Sequence, residues 1–519
     1  MDKNVLLYDT TLRDGGQGEK INFAPEDKIK IAKKLDEKKI NYIEGGYPGS
    51  NIKDVEFFEA MKTVKLKHVK LVAFGSTRKP KTKTEEDKNL QAILKSGCDV
   101  ACFYATARKR QIKLIRNNNL SENLTMIIET GIFLKTNGIE EIHFDAEHFF
   151  QGFKENKEFT LATIQAAIDG LADYIVLCDT NGDCMPHEVF NIVKTIKKHF
   201  PDIKLGIHAH NDSDVAVANS LEAIRAGVEI VQGTINGYGE RCGNANLISI
   251  IPNLVLKMNY SCSFNLTGLK ELGLYIGECA NRSPYEAAAY VGDSAFAHKG
   301  GRHVYFVKKD PSTYEHINPS LVGNKRRILI SEVSGTSNIE LKAKELGLNL
   351  DKDQAIKLLS EIKKQEKRGL DLEAADASFA LLAEKIISGN KYKPPFKLKH
   401  FRVTIVKEGD NPCYSEATIC IEIDGEDIFR GAKGKGPVDA LKKALLKTIG
   451  KKRQLDFIRL MNFKVRVVNG YIGTDAQVKV SMAFGDSKNT WNSIGVSEDI
   501  IEACWQAISD ATAYKLTNL

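Results

Sequence analysis

Paired cysteines are missing from this sequence. Its ten cysteines stand singly, with no Cys-x-x-Cys spacing, which argues against a cysteine zinc site and points to reduced thiols in a cytoplasmic setting. Long apolar runs are missing too. None approaches the roughly 18 residues of a membrane-crossing helix, and mean hydropathy is −0.27. Met1-Asp2-Lys3-Asn4 leads straight into the strand-like Val5-Leu6-Leu7-Tyr8, so neither a membrane segment nor a signal peptide is expected. Nor is there a strong charge of one sign, because 74 basic residues against 67 acidic ones leave only +7. The lysines are interleaved with acids, as in Glu85-Glu86-Asp87-Lys88, and no basic stripe carries stacking aromatics. A nucleic-acid partner is therefore not expected, whereas a phosphate-bearing small molecule suits the mild positive balance.

What is present is periodicity. The chain has 519 residues, and at roughly 150 residues per domain two or three domains are expected. Up to about residue 260, β-branched apolar runs (5–8, 42–44, 71–74, 100–103, 142–144, 174–177, 205–208 and 229–231) alternate with stretches of helical period (25–35, 55–61, 120–134, 160–170, 187–197 and 214–226). Eight strands alternating with helices predict an α/β fold, an N-terminal (β/α)₈ TIM barrel. The open doubly wound alternative normally carries a glycine-rich phosphate turn after its first strand. Here that position holds Asp9-Thr10-Thr11-Leu12-Arg13-Asp14-Gly15-Gly16-Gln17, which is not G-x-G-x-x-G.

The remainder divides again. Helical stretches at 266–280, 338–346, 352–364 and 372–387 surround a turn-rich, glycine-rich stretch at 294–332. Gly389-Asn390-Lys391-Tyr392-Lys393-Pro394-Pro395 then reads as a linker. Beyond it the order strand, strand, strand, helix occurs twice: 401–406, 416–423, 426–433 and 438–446, then 463–468, 476–484, 489–494 and 498–514. Each third strand is read as ending in a glycine loop, 434–436 or Gly495, before its helix. The expected domains are the barrel over 1–265, helical linker subdomains over 266–395, and an α+β domain of two βββα repeats over 396–519. Such small units, unable to bury a full sheet face alone, predict pairing with a second subunit.

Side chains at the C-terminal ends of barrel strands converge on one mouth. His208-Ala209-His210 ends strand 7, and the period of two sends both imidazoles to one side. With a nearby carboxylate they make a workable site for a divalent ion. Arg13-Asp14 follows strand 1, Gly239-Glu240-Arg241-Cys242-Gly243-Asn244-Ala245-Asn246 follows strand 8, and Glu44, Glu147 and Asp179-Thr180 end strands 2, 5 and 6. So many polar groups at the same end of consecutive strands favour a metal site.

These residues resemble a known family. Leu6–Gly15 with His208-Ala209-His210-Asn211-Asp212 and Gly239–Asn246 is similar to the acyl-CoA Claisen-condensing synthases of the DRE-TIM metallolyase superfamily, which include 2-isopropylmalate, homocitrate and citramalate synthases. Many members read D-G-E-Q where this chain has Asp14-Gly15-Gly16-Gln17. That departure, with Tyr42–Asn51, Phe144–Phe150 and Tyr314-Glu315-His316-Ile317, resembles the (R)-citramalate synthase branch. The resemblance implies a divalent metal (Mg²⁺, Mn²⁺, Zn²⁺ or Co²⁺) held by Asp14, His208, His210 and Asn244, with acetyl-CoA as co-substrate and pyruvate as the 2-keto acid. It implies that Arg13 stabilises the developing alkoxide and binds substrate, that Glu147 gives acid/base help, and that Thr180 holds the substrate carboxylate, with Glu44 a further substrate residue. Ala297-His298-Lys299-Gly300-Gly301-Arg302-His303 resembles the family's H-x-x-G-x-H segment, which makes His303 and Tyr314 the residues for removing the acetyl proton. Phe74 and Phe103, near the ends of strands 3 and 4, are expected to fill the pocket around the keto acid's methyl. The C-terminal repeats resemble a regulatory dimer domain, implying a homodimer with an isoleucine effector whose carboxylate meets the glycine loops before the helices. 2-Isopropylmalate synthase and homocitrate synthase are the nearest alternatives. A lyase or carboxyltransferase on the same barrel, or a catalytically silent amino-acid sensor, is further off.

Overall fold

The computed structural model describes residues 4–115, 119–283, 285–331, 334–367, 369–373, 375–450, 458–468, 476–486 and 489–517. Glu332 and Ala374, inside two of the segments read above, lie outside the described residues. Eight parallel strands close into a barrel in sequence order: β1 (Leu6–Asp9), β2 (Tyr42–Gly46), β3 (Lys70–Ser76), β4 (Val100–Thr106), β5 (Glu141–Glu147), β6 (Tyr174–Asp179), β7 (Leu205–Ala209) and β8 (Ile230–Gly233). β1 closes the ring on β8, with Leu6 opposite Ile230 and Asp9 opposite Gly233. All eight expected runs are strands, and most extend further at their C-terminal ends than the apolar runs did. The reason is that polar residues such as Asp145, Glu147 and Asp179 continue the ladder into the mouth.

Each connection carries a helix whose start is chemically marked. Pro25 opens Pro25–Glu37 with Glu26 and Asp27 in its first turn. The Asp87 carboxylate accepts from the backbone N–H groups of Asn89 and Leu90 to begin Lys88–Lys95. Four barrel helices escaped the periodicity reading: Lys88–Lys95, Lys109–Ile115, Phe149–Glu155 and Leu247–Leu256. The first three are too short to show a period. The last is apolar on nearly all sides and contains Pro252, so no polar face betrays it. Among the described residues no helix is long and apolar enough to cross a membrane.

The chain forms two compact units, Met1–Phe296 with Pro319–Lys325, and Ala297–Asn318 with Arg326–Leu519. The stretch read as merely turn-rich holds the helix Gly301–Lys309 and two short parallel strands, β9 (Ala297–His298) and β10 (Arg327–Ile328). The second unit then builds the repeat. β11 (Lys397–Val406), β12 (Tyr414–Ile423) and β13 (Glu426–Gly434) form one antiparallel sheet followed by the helix Pro437–Ile449. β14 (Arg459–Val467), β15 (Val478–Gly485) and β16 (Thr490–Ser497) form the other, followed by Ile500–Thr517. The repeat extends to detail, because the first strand of each sheet shifts register near its start, at Leu398/His400 and at Leu460/Asn462. Gly495 corrects the loop reading. It lies inside β16, not in a loop, and a Cβ there would meet the Ala503 carbonyl oxygen at 2.0 Å. The glycine is needed for the strand to approach its helix, and it presents no free helix terminus.

Candidate active site

β7 delivers His208, and His210 follows just beyond its end, bridged to Asn244. The period of two holds: both imidazoles are buried on the lumen side, with Nε2 atoms 3.3 Å apart. Asp14 Oδ2 lies 3.2 Å from His208 Nε2. The carboxylate that joins the histidines therefore comes from the far end of the barrel sequence. The adjacent Asp212 turns away and pairs with Arg241 at 2.7 Å.

Asn244 arrives through a tight glycine turn. Gly243 has φ +88°, and a Cβ on it would strike the Gly237 carbonyl oxygen at 2.0 Å. Glycine lets that loop fold back until Asn244 Nδ2 donates to Asp14 Oδ2 at 2.8 Å. The neighbouring Asn246 has a different task, capping the helix Leu247–Leu256 through Ile248 N.

Arg13 lies over this cluster. Its Nε donates to Glu44 Oε1 at 2.5 Å, its Nη1 is 3.5 Å from Asp14 Oδ2, and its Cζ is 3.9 Å from the Phe74 ring centre. Phe74 is stacked on Tyr104 at 5.4 Å and meets Tyr47 edge-on at 5.6 Å. Arg13, Asp14, Tyr47, Phe74 and Tyr104, with Glu147 and Thr180, line a cavity of about 540 Å³.

Two expected substrate residues lie elsewhere. Glu44 is fully buried beneath Arg13, bonded to it and to the Tyr8 hydroxyl at 2.7 Å, and does not line the cavity. Its reach is taken up by those two partners. Phe103 faces the opposite side of β4, packed on Phe144 at 5.3 Å. Successive strand residues alternate faces, so Cys102 and Tyr104 take the inward side, and Tyr104 holds the place anticipated for Phe103. In the second unit His303 and Tyr314 come together, their rings stacked at 4.1 Å.

Burial raises the stakes of every charge here. Burial opposes ionisation of Asp14, but Arg13 and His208 pull its pKa far below the carboxylate range. Burial likewise lowers His208, yet Asp14 more than compensates and its pKa is raised. Burial and the neighbouring His208 bring His210 down to about 3. Burial, then Asp145, raises Glu147.

Do these groups fit a divalent cation? One ligand atom from each of Asp14, His208 and His210 lies within 4.8 Å of the others. His208 Nδ1 is engaged by Gln232 Oε1 at 2.9 Å, which directs Nε2 at the cluster. Asn244 turns Nδ2 to Asp14 and leaves Oδ1 buried with no hydrogen-bond partner, so turning its amide over would give the cluster an oxygen ligand. Asp14, Glu44 and Asp145 gather against the guanidinium of Arg13, and Glu147 lines the same cavity. Nitrogen and oxygen donors with excess buried negative charge suit a doubly charged ion.

The geometry has sequence counterparts. The family described as HMGL-like matches residues 4–274, the homocitrate synthase post-HMGL domain-like family 290–369, and the LeuA allosteric (dimerisation) domain 373–516. An (R)-citramalate synthase of Aquifex aeolicus is 45% identical over 99% of this chain and 98% of its own, and one of Geobacter sulfurreducens is 46% identical over 99% and 97%. The chain belongs to the (R)-citramalate synthase family. It is an enzyme of the transferase type that joins two substrates by condensation. A 2-isopropylmalate synthase of Methanocaldococcus jannaschii is more distant from this citramalate synthase family member, at 31% over 98% of the chain. Sequence reasoning gave no role to Gln232, Asp145, Tyr104 or Tyr47, although Tyr47 and Asp145 lie inside the segments that carried the family resemblance. Only the inward face of each strand, counted back from the histidines, points to them.

Proposed function

We propose that the barrel mouth condenses acetyl-CoA with pyruvate and water to give (R)-citramalate and CoA. The observation that carries this reading is Arg13 held over Asp14, His208 and His210 on one side and against the Phe74 ring on the other. A divalent cation (Mg²⁺, Mn²⁺, Zn²⁺ or Co²⁺) bound by Asp14, His208, His210 and Asn244 supplies a Lewis acid for the keto acid.

The chain's own groups do the rest. Arg13 stays charged at any accessible pH and stabilises the oxyanion that grows as the keto carbon is attacked. Its orientation is set by Glu44 below and Phe74 behind. Thr180 Oγ1 accepts from the His148 backbone N–H at 2.8 Å, which leaves its hydroxyl hydrogen to donate to the substrate carboxylate. Glu147, its proton affinity raised by burial, moves protons at the substrate hydroxyl. His303, with Tyr314 stacked on it, takes the acetyl methyl proton. Phe74, Tyr104 and Tyr47 wall the side where a methyl sits and a larger branch does not. The C-terminal repeats pair two chains into a homodimer, isoleucine is the effector bound there, and the enzyme works in the cytoplasm.

Release of the CoA thiol, measured with a panel of 2-keto acids, tests the reaction. Pyruvate is expected to give the highest kcat/KM. A preference for 2-oxoisovalerate overturns the substrate, and no thiol release with any keto acid overturns the condensation.

A further inference from the structure

His208 has two ring nitrogens, and a metal ligand is useful only if the right one faces the ion. The lumen contains a device that makes the choice. Gln232, on β8, is fully buried. Its Oε1 lies 2.9 Å from His208 Nδ1, and its Nε2 donates to Asp145 Oδ1, on β5, at 3.2 Å. The amide therefore spans the lumen between a histidine and a carboxylate.

We propose that Gln232 is a positioning residue that commits His208 to present Nε2 to the cation, and that Asp145 in turn sets the orientation of Gln232. This rests on the reading of Asp14, His208 and His210 as the cation's ligands. An amide NH₂ only donates, so the contact of Gln232 Nε2 with Asp145 Oδ1 turns the NH₂ end of the amide toward β5. The carbonyl end must then face His208, and a carbonyl only accepts, so Nδ1 must carry hydrogen. Nε2 is left pointing at Asp14 Oδ2 and His210 Nε2, 3.2 and 3.3 Å away. Turning the amide over would set its carbonyl against the carboxylate of Asp145 and its NH₂ against Nδ1–H, losing both bonds. The chain Asp145–Gln232–His208 thus extends, by one amide, the carboxylate–histidine pairing that commonly orients metal-bound imidazoles.

Free Mn²⁺ measured by electron paramagnetic resonance at pH 8 gives the binding constant directly, without turnover. The full-length protein, Gln232→Leu, Gln232→Glu, the double variant Gln232→Glu/Asp145→Asn and His210→Ala are compared. Gln232→Leu removes the acceptor and should weaken Mn²⁺ about 10- to 100-fold. Gln232→Glu alone sets two carboxylates face to face and should also weaken it. Adding Asp145→Asn restores a donor toward position 232 at unchanged total charge, and affinity should return to within about threefold of the original. A purely structural glutamine would show no such rescue, and the double variant keeps the test open if Gln232→Leu folds poorly. Unchanged affinity in Gln232→Leu, or a double variant no better than Gln232→Glu, overturns the proposal while the ligand set stands. Unmodified protein that binds no Mn²⁺, or His210→Ala that binds it equally well, overturns the ligand set and the proposal with it.

Discussion

The two ends of one barrel lumen hold histidines in opposite circumstances. At the N-terminal end His143 is enclosed by the rings of Tyr8, Tyr42 and Tyr174, with centroids 5.5, 5.0 and 4.9 Å away. Its Nε2 lies 2.8 Å from Glu141, a carboxylate that also accepts from Tyr42 and Lys70. The carboxylate has a basic partner on either side, and three tyrosine rings surround the imidazole, whose Nδ1 is buried with no hydrogen-bond partner. At the C-terminal end His208 and His210 sit beside Asp14 with further carboxylates near, one arginine among them, and an amide oxygen left unpaired. The same strands make both ends. A histidine becomes a candidate ligand through the surplus of negative charge around it and the open space in front of it, whereas a matched and enclosed one is packing.

Substitutions at the mouth are expected to have the largest effects. His210→Ala should abolish Mn²⁺ binding and lower kcat by roughly three orders of magnitude, the several kcal/mol that a Lewis-acid cation contributes. Metal titration and thiol release, run on the same preparation, check this together. Arg13→Ala should lower kcat about 100- to 1,000-fold while changing Mn²⁺ affinity only a few-fold, because its interaction grows with the developing charge. Lost metal with little lost turnover contradicts that assignment.

Side-chain facing is tested by a pair of aromatic substitutions. Phe74→Ala should shift the kcat/KM ratio of 2-oxobutanoate to pyruvate about 10- to 100-fold toward the larger acid. Phe103→Leu, on the outer face of β4, should leave that ratio unchanged and only lower Tm. The matched end is expected to respond in stability alone. Burial by itself would raise Glu141, but His143, Lys70 and Tyr42 hold it at about 2, below the ordinary 4.5. A depressed carboxylate stabilises the fold fully above about pH 4.5 and loses that contribution as pH falls toward 2. Glu141→Gln should therefore cost about 1–3 kcal/mol at pH 7, with the gap closing in thermal melts between pH 4.5 and 2 and kcat unaffected.

The alternation of short apolar runs with helical stretches was enough to read an eight-stranded barrel, because parallel strands buried on both faces must be apolar and their crossovers must be helices. The His-x-His spacing was enough to place two imidazoles on one face, and βββα written twice was enough for the repeat. Depth and partnership were decided only in three dimensions. A period of two says which residues of a strand share a face, but not which face is the lumen. Phe103 and Tyr104 were indistinguishable until barrel closure turned one out and the other in. Glu44 and Glu147 both looked like strand ends, yet β2 runs on to Gly46 and sinks Glu44 under Arg13, whereas Glu147 ends β5 and lines the cavity. Asp14 and Asn244 are 230 positions apart and meet at 2.8 Å. That contact depends on the register closing β1 onto β8 and on a glycine turn, both properties of the assembled barrel.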